Sequence, residues 1–332
     1  MSETRARVVG LGRRTLATAA NRSRVARLVF ARISAELQHA LPDDTYGGAY
    51  FGEGRSPLGR MGLSGYNRYD RYMSNADVAA YLVWRFLPGQ HTLDAGCALG
   101  FVVEALRELD VDAEGVDVSF YAVDHATAGA RGHLRQGSLL DRLPFDDATF
   151  DIVTALETLE HLPPDAIPTA IAELRRVCRG YLLATIPSFG SNENGPGGWY
   201  NGKVRDERLA HYQQLPESYE GPVPYDDLEV DTEGNPIEGH LTIASFGWWT
   251  KQFEAAGFER CGEIERRIHP HLARFGLTKF WSLYVLRVPG IAAALEDVRS
   301  PAEIEALETR WGLDTRPNDP EDFKAVETAL GL

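Results

Sequence analysis

Between residues 76 and 188 the apolar and polar positions change rhythm at short, regular intervals. Helical spacing over 77–87 gives way to an apolar run at 91–95, and the change recurs with a helix over 100–109 and a strand over 112–117. A helix over 120–129, a strand ending near Gln136, a strand over 150–156, a helix over 164–178 and a strand over 180–186 continue it. Strands that alternate with helices predict a parallel sheet covered on both faces. The alternation stops at 189–240, a long polar stretch containing "GSNENGPGGWYNG". An excursion of that length inside a compact domain is usually functional. The pattern resumes with a helix over 245–256, a Gly257-Phe258 stop, a strand near 259–266 and a final strand over 279–288. His269 and His271 then fall near the end of the penultimate strand and read as surface residues.

The flanks differ from this middle. Val25, Leu28, Val29, Ile33, Leu37 and Leu41 stand at helical spacing in an N-terminal segment with eight arginines in its first forty residues. Such a basic amphipathic helix either packs on its own domain or lies on an anionic membrane surface. Residues 45–75, rich in Gly, Tyr and Arg, have no clean period and cannot build a core alone, so they are expected to lie across something else. The tail, 290–332, is acidic and reads as helical, with Ala292, Leu295, Val298, Ile304, Leu307 and Trp311 as apolar anchors. The domain plan is therefore a cap at 1–75, a sheet domain at 76–289 with a lid at 189–240, and a tail at 290–332.

Charge and composition narrow the function. A formal net charge of −14 argues against a general nucleic-acid binder, which needs a basic face. No apolar run approaches the roughly 20 residues that span a bilayer, and the apolar stretch after Arg13-Arg14 is too short for an export signal. Three scattered cysteines, Cys97, Cys178 and Cys261, form neither a disulfide framework nor a metal knuckle. A reducing cytoplasm is the simplest setting, and homo-oligomerisation stays open.

Chemistry concentrates at "HTLDAGCALGF", residues 91–101. A strand that ends in a small-residue turn and opens a helix presents backbone N–H groups and a positive dipole end. Gly96 and Gly100 let a ligand approach the backbone closely. Asp117, 21 positions after Gly96 at the end of the next strand, can accept both hydrogen bonds of a ribose diol, in NAD or in an adenosyl group. The third glycine of the dinucleotide fingerprint is missing, since Ala98 and Val103 occupy the turn, which weakens the NAD reading. Asp94 fits a cationic amino-acid group better than a diphosphate. As plain turn residues, Asp94 and Asp117 would need no ligand at all.

The combination of "LDAGCALG", "GVDVSFYAVDHA", "LPFDDATFDIVTALETLEHL" and "GHLTIASFGWWTKQFEAAGF" resembles the class I S-adenosylmethionine-dependent methyltransferases, and the branch resembles enzymes of glycan and natural-product pathways. The resemblance covers roughly residues 75–289. It implies an α/β Rossmann-like fold, a seven-stranded mostly parallel sheet with an antiparallel last strand and helices on both faces. It also implies S-adenosylmethionine as cofactor. Ala95, Gly96 and Cys97 would then face its methionine part, Asp94 its amino group, Asp117 the ribose hydroxyls and Val118 the adenine. Ser138 and Leu139 match positions that flank the adenine, although the family more often has Asp where Ser138 stands. Ala155, Leu156 and Glu157 would line the sulfonium end. Tyr66, Tyr69 and Tyr72, with Arg60 and Arg68, would close over the cofactor, an arginine pairing its carboxylate.

Methyl transfer is a direct displacement, so the protein mainly aligns the reactants, and a hydroxyl acceptor also needs a base. His240, where the insertion rejoins the core, is the first candidate base, and His161, at the mouth of the sheet, is the second. Each has a structural reading as a satisfied hydrogen-bonding histidine. His211 is a weaker third candidate and a substrate contact. Trp199 and Tyr200 would stack on a sugar face or an aromatic ring, with Asn192, Glu193 and Asn194 adding polar groups; otherwise they anchor their loop. No carboxylate spacing makes a metal site. The expected reaction is O-methylation of a saccharide or of a glycosylated or small natural product. N- or C-methylation of a small metabolite and a cofactor-binding subunit without activity are the alternatives.

Overall fold

The computed structural model describes residues 46, 50–51, 69–192, 195–197, 204–213, 220–230, 236, 239–277 and 282–313. The basic helix expected at 25–41, together with Arg60, Tyr66, Arg68, Glu193, Asn194, Trp199 and Tyr200, lies outside them.

Seven strands form the central sheet: β1 His91–Ala95, β2 Asp112–Asp117, β3 Leu134–Gln136, β4 Phe150–Leu156, β5 Cys178–Ile186, β9 Glu259–Arg260 and β10 Ser282–Arg287. Their order is β3-β2-β1-β4-β5-β10-β9. The first five run parallel, and β10 is antiparallel to both β5 and β9. The chain moves outward from β1 to β3, then returns to the other side of β1 with β4. That reversal opens a crevice beyond the carboxyl ends of β1 and β4, where open α/β sheets hold their ligands.

Both faces of the sheet are buried, as parallel sheets require. One face packs on α1 Ala76–Phe86, α2 Phe101–Arg107, α7 Gly262–Arg274 and α8 Pro301–Arg310, through Leu82, Leu106, Ile268 and Leu307. The other packs on α4 Ile167–Val177 and α6 Phe246–Ala255, through Ile171, Leu174, Trp249 and Phe253. Neighbouring strand residues divide between the two layers: Ile152 and Leu183 belong to the first, Val153 and Leu182 to the second.

Three expectations need correction. The strand read at 259–266 is two residues long, and α7 follows it. Ile264, Ile268 and Leu272 recur every four residues and are fully buried, which is a helical stripe. His269 and His271 therefore sit on a helix. His271 packs 5.3 Å from Phe86, and burial pushes its pKa down to about 4. The helix read at 120–129 ends early, as α3 Phe120–Asp124. The tail is non-helical over 290–300, with Leu295 63% exposed, before Ser300 opens α8 with a capping box.

Within the polar insertion, β6 Ser188–Asn192, β7 Gly195–Gly197 and α5 Asp206–Gln213 are formed. With β8 Ala244–Ser245 these strands make a second sheet, ordered β7-β6-β8. Phe189, Val204, Tyr212, Val223, Leu228 and Ile243 give this part a small core of its own.

Candidate active site

The β1 turn is built around two acids. Asp94 is 3% exposed, and Thr154 Oγ1 donates to its Oδ1 at 2.6 Å. Burial raises its pKa to about 7; the Thr154 bond opposes this and the Asp117 charge adds to it. Asp117 accepts from the Ala98 N–H on Oδ2 and from the Ser119 N–H on Oδ1, both at 2.8 Å. A carboxylate offers about four lone-pair directions, so two backbone bonds leave capacity for a diol.

Gly96 (φ +81°) closes the turn, its N–H and that of Cys97 donating to Val116 O at 2.8 and 3.1 Å. A Cβ on Gly96 would lie 2.4 Å from the Thr158 side chain, so any other residue collides with Thr158. Gly100 (φ +83°) begins α2, and a Cβ there would meet Ala130 at 2.7 Å. Ala98 takes φ +48° without being glycine. Cys97 is buried, and burial holds its thiol protonated.

Around this turn lies a cleft of about 950 Å³, counting its part open to solvent. Gly96, Ala98 and Asp117 form its floor; Val118, Ser138 and Leu139 form one side; Leu156, Glu157, Thr158 and His161 form the other. Ser138 Oγ accepts from the Leu140 N–H at 3.1 Å, so it also shapes its own loop. Asp94, Ala95 and Ala155 are buried beneath the cleft, and Ala95 and Ala155 belong to the core. Glu157 takes φ +49° at the end of β4, where its N–H donates to Thr185 O at 2.9 Å.

His161 ends a 3₁₀ turn, Leu159–His161, and its Nδ1 faces Gly239 O at 3.2 Å. A carbonyl only accepts, so Nδ1 carries the proton and Nε2 the lone pair; this tautomer is assigned from the hydrogen-bond partner. The insertion's return is stitched to the same turn. Leu241 and Thr242 donate their N–H groups to Glu160 O at 2.8 and 3.0 Å, and Thr242 Oγ1 donates to Leu162 O at 2.6 Å. His240 is 6% exposed behind the cleft, its ring edge-on to His161 at 5.0 Å and its Nε2 3.9 Å from Glu160 Oε1. Ligand atoms of Glu160, His161 and His240 all lie within 4.8 Å of one another, a grouping with metal-ligand chemistry that the separate spacings in the chain do not reveal. His211 is exposed on α5, with its ring centroid 5.2 Å from that of Tyr212.

The fourth wall comes from Tyr46, Tyr50, Phe51 and Tyr69. Ser119 Oγ donates to Tyr46 O at 2.5 Å, Phe51 stacks on Tyr121 at 5.9 Å, and Tyr69 packs on Phe101 at 5.7 Å. Burial, then the charges of Asp117 and Glu160, raise the Tyr46 phenol well above its ordinary pKa. Thr154, Thr158, Glu160 and Tyr46 are site residues that sequence reasoning missed. Only the aromatic density of 45–75 hinted at the last of them.

The cleft suits a ligand with a diol for Asp117, a cationic group near buried Asp94, and an apolar ring against Val118 and Leu139. Part of the chain is similar to known proteins. Residues 93–182 match the family described as methyltransferase domain. "Probable methyltransferase ltbC" of Aspergillus luteorubrus is 33% identical over 122 residues, 32% of this chain and 43% of that protein. "Ubiquinone biosynthesis O-methyltransferase" of Methylococcus capsulatus is 30% identical over 125 residues, 30% of this chain and 50% of that protein. The chain thus spans half or less of the length of these curated relatives. A solved S-adenosylmethionine-dependent methyltransferase from Archaeoglobus fulgidus superposes with a TM-score of 0.40 and 14% identity, over 66% of this chain and 94% of that one.

Proposed function

We propose that the chain, whose residues 93–182 match the methyltransferase-domain family, is a class I S-adenosylmethionine-dependent methyltransferase that transfers the cofactor's methyl group to the oxygen of an acceptor hydroxyl, with His161 as base. When bound, S-adenosylmethionine supplies an electrophilic methyl on a sulfonium. The residues present fit it: Asp117 has carboxylate capacity for the ribose, Asp94 is a buried acid for the amino group, and Gly96 borders the cleft with no side chain of its own.

One observation carries the assignment of oxygen chemistry: His161 borders the cleft with Nδ1 committed to Gly239 O. Its Nε2 can take a hydroxyl proton, a contribution of about 10²–10⁴ in rate. His240, the first candidate from sequence, packs edge-on to His161 at 5.0 Å and is absent from the cleft lining, and on this reading it positions His161. Relatives named O-methyltransferases support the same chemistry.

The acceptor is a saccharide or a glycosylated or small natural product, a reading that the polar insertion joined to the His161 turn supports. Trp199, Tyr200 and His211 are its proposed contacts, and Tyr66 and Arg68 remain proposed cofactor contacts. Three buried free thiols favour action in the cytoplasm, where thiols stay reduced. Among the described residues no helix is long and apolar enough to cross a membrane.

The test is release of S-adenosylhomocysteine with a panel of hydroxylated acceptors. His161→Ala should lower kcat by at least about a hundredfold and leave cofactor affinity within about twofold. Turnover that survives the substitution removes His161 as base.

A further inference from the structure

Tyr46 reaches the cleft from outside the sheet domain. Its carbonyl is held on the β2 side by Ser119 Oγ at 2.5 Å, and its ring borders the cleft together with Gly96, Asp117 and His161. Two of those lining residues belong to opposite sides of β1: Asp117 ends β2, and His161 lies in the turn after β4, with β1 paired between the two strands. Adjacent strands are about 4.8 Å apart, and Gly96 of the β1 turn borders the cleft between them, so the ring that shares this cleft faces the β1 turn. The ring edge of Tyr50, at 4.9 Å and 89°, fixes its attitude there.

On the reading of the cleft as an S-adenosylmethionine site, the floor beneath Tyr46 is the turn assigned to the methionine part. We propose that Tyr46 completes the cofactor site and meets the sulfonium with its ring, which makes it the residue that separates the charged donor from the neutral product. An aromatic ring attracts a cation through its quadrupole, and a desolvated site strengthens the effect. S-adenosylhomocysteine is a thioether and gains nothing from it.

Calorimetric titration of the full chain with S-adenosylmethionine and with S-adenosylhomocysteine tests this. The quantity read is the ratio of the two dissociation constants, an internal control for folding and for general damage to the site. Tyr46→Leu should shift that ratio against the charged ligand by about 3- to 30-fold. Tyr46→Phe, which keeps the ring, should hold the ratio within twofold of wild type. Tyr46→Met serves as a second ringless variant should the leucine variant fold poorly, and should behave as Tyr46→Leu does. An equal loss for both ligands in the ringless variants overturns the inference and leaves the cofactor assignment standing. Absence of binding by either ligand to the unaltered protein overturns both.

Discussion

Asp94 shows how one residue sets conformational stability against function. Its carboxyl titrates near 7 in the fold against 3.8 ordinarily, because burial penalises the charge more than Thr154 relieves it. The fold therefore binds this proton more tightly than the unfolded chain. The associated stability is complete below about pH 4 and is lost as pH rises through 7, on the order of 4 kcal/mol in full. Asp94→Asn keeps the Thr154 bond and removes the ionisation. It should raise the melting temperature of the ligand-free protein by roughly 3–8 °C at pH 8 and far less at pH 5. Binding of the cationic cofactor should fall in the same variant, and in the native protein it should strengthen from pH 6 to 8 as Asp94 ionises, with Asp117 as the neighbouring acid. A melting temperature indifferent to pH in both proteins refutes this. Ala98, at φ +48°, carries a smaller tension. Ala98→Gly should stabilise by about 0.5–1 kcal/mol, the relief of a left-handed alanine less the added flexibility of glycine, and thermal melting reads it.

Among elements, the parallel strands were the most legible part of the chain. A strand buried on both faces tends towards an apolar run, and β4 "FDIVTAL" and β5 "CRGYLLATI" come near it, whereas β1 "HTLDA" and β2 "DAEGVD" were legible from their place between helices. The α7 segment was misread because "CGEIERRI" opens with a strand-like start, while its helical stripe shows only when Ile264, Ile268 and Leu272 are taken together. Turn chemistry was legible where it is local, as at Gly96 and Asp117. It was hidden where tertiary packing decides: sequence put His240 ahead of His161 as candidate base, whereas it is His161 that borders the cleft, with His240 edge-on against it. Tyr46 meets Ser119 across 73 positions, a separation no periodicity spans. The contact between the insertion's return and the His161 turn can be tested alone. Thr242→Val removes the bond to Leu162 O at a cost of about 1 kcal/mol. On the proposed mechanism it should lower kcat several-fold with cofactor affinity unchanged, and equal losses in both would contradict a role confined to His161.

At the scale of the molecule, the tail fastens the far side of the sheet domain by charge. Arg85 pairs with Asp297 at 2.7 Å, and Arg267 pairs with the same carboxylate. Arg274 pairs with Glu308 at 3.1 Å, and the Tyr81 hydroxyl donates to that carboxylate too. Burial opposes ionisation of Glu308, but Tyr81, Arg274 and Arg85 outweigh it and hold its pKa below the ordinary value. Stability from this group is present above the ordinary glutamate range and is lost as pH falls through its depressed pKa. Because its partners are only partly exposed, Glu308→Ala should cost about 1–3 kcal/mol, seen as a lower melting temperature, with cofactor affinity unchanged. An unaltered melting temperature would show that Glu308 adds nothing to what Asp297, Ile304 and Leu307 supply.

The knot between Gly239–Thr242 and the 159–162 turn has a consequence for how such a protein diversifies. Chain that departs after Ile186 is tied down again at Gly239–Thr242, beside the histidine proposed as base. The detour between the moorings can lengthen at little entropic penalty, since loop closure grows only logarithmically. On the proposed mechanism, new acceptors can thus be recruited by rewriting the detour while the imidazole proposed as base keeps its bearing.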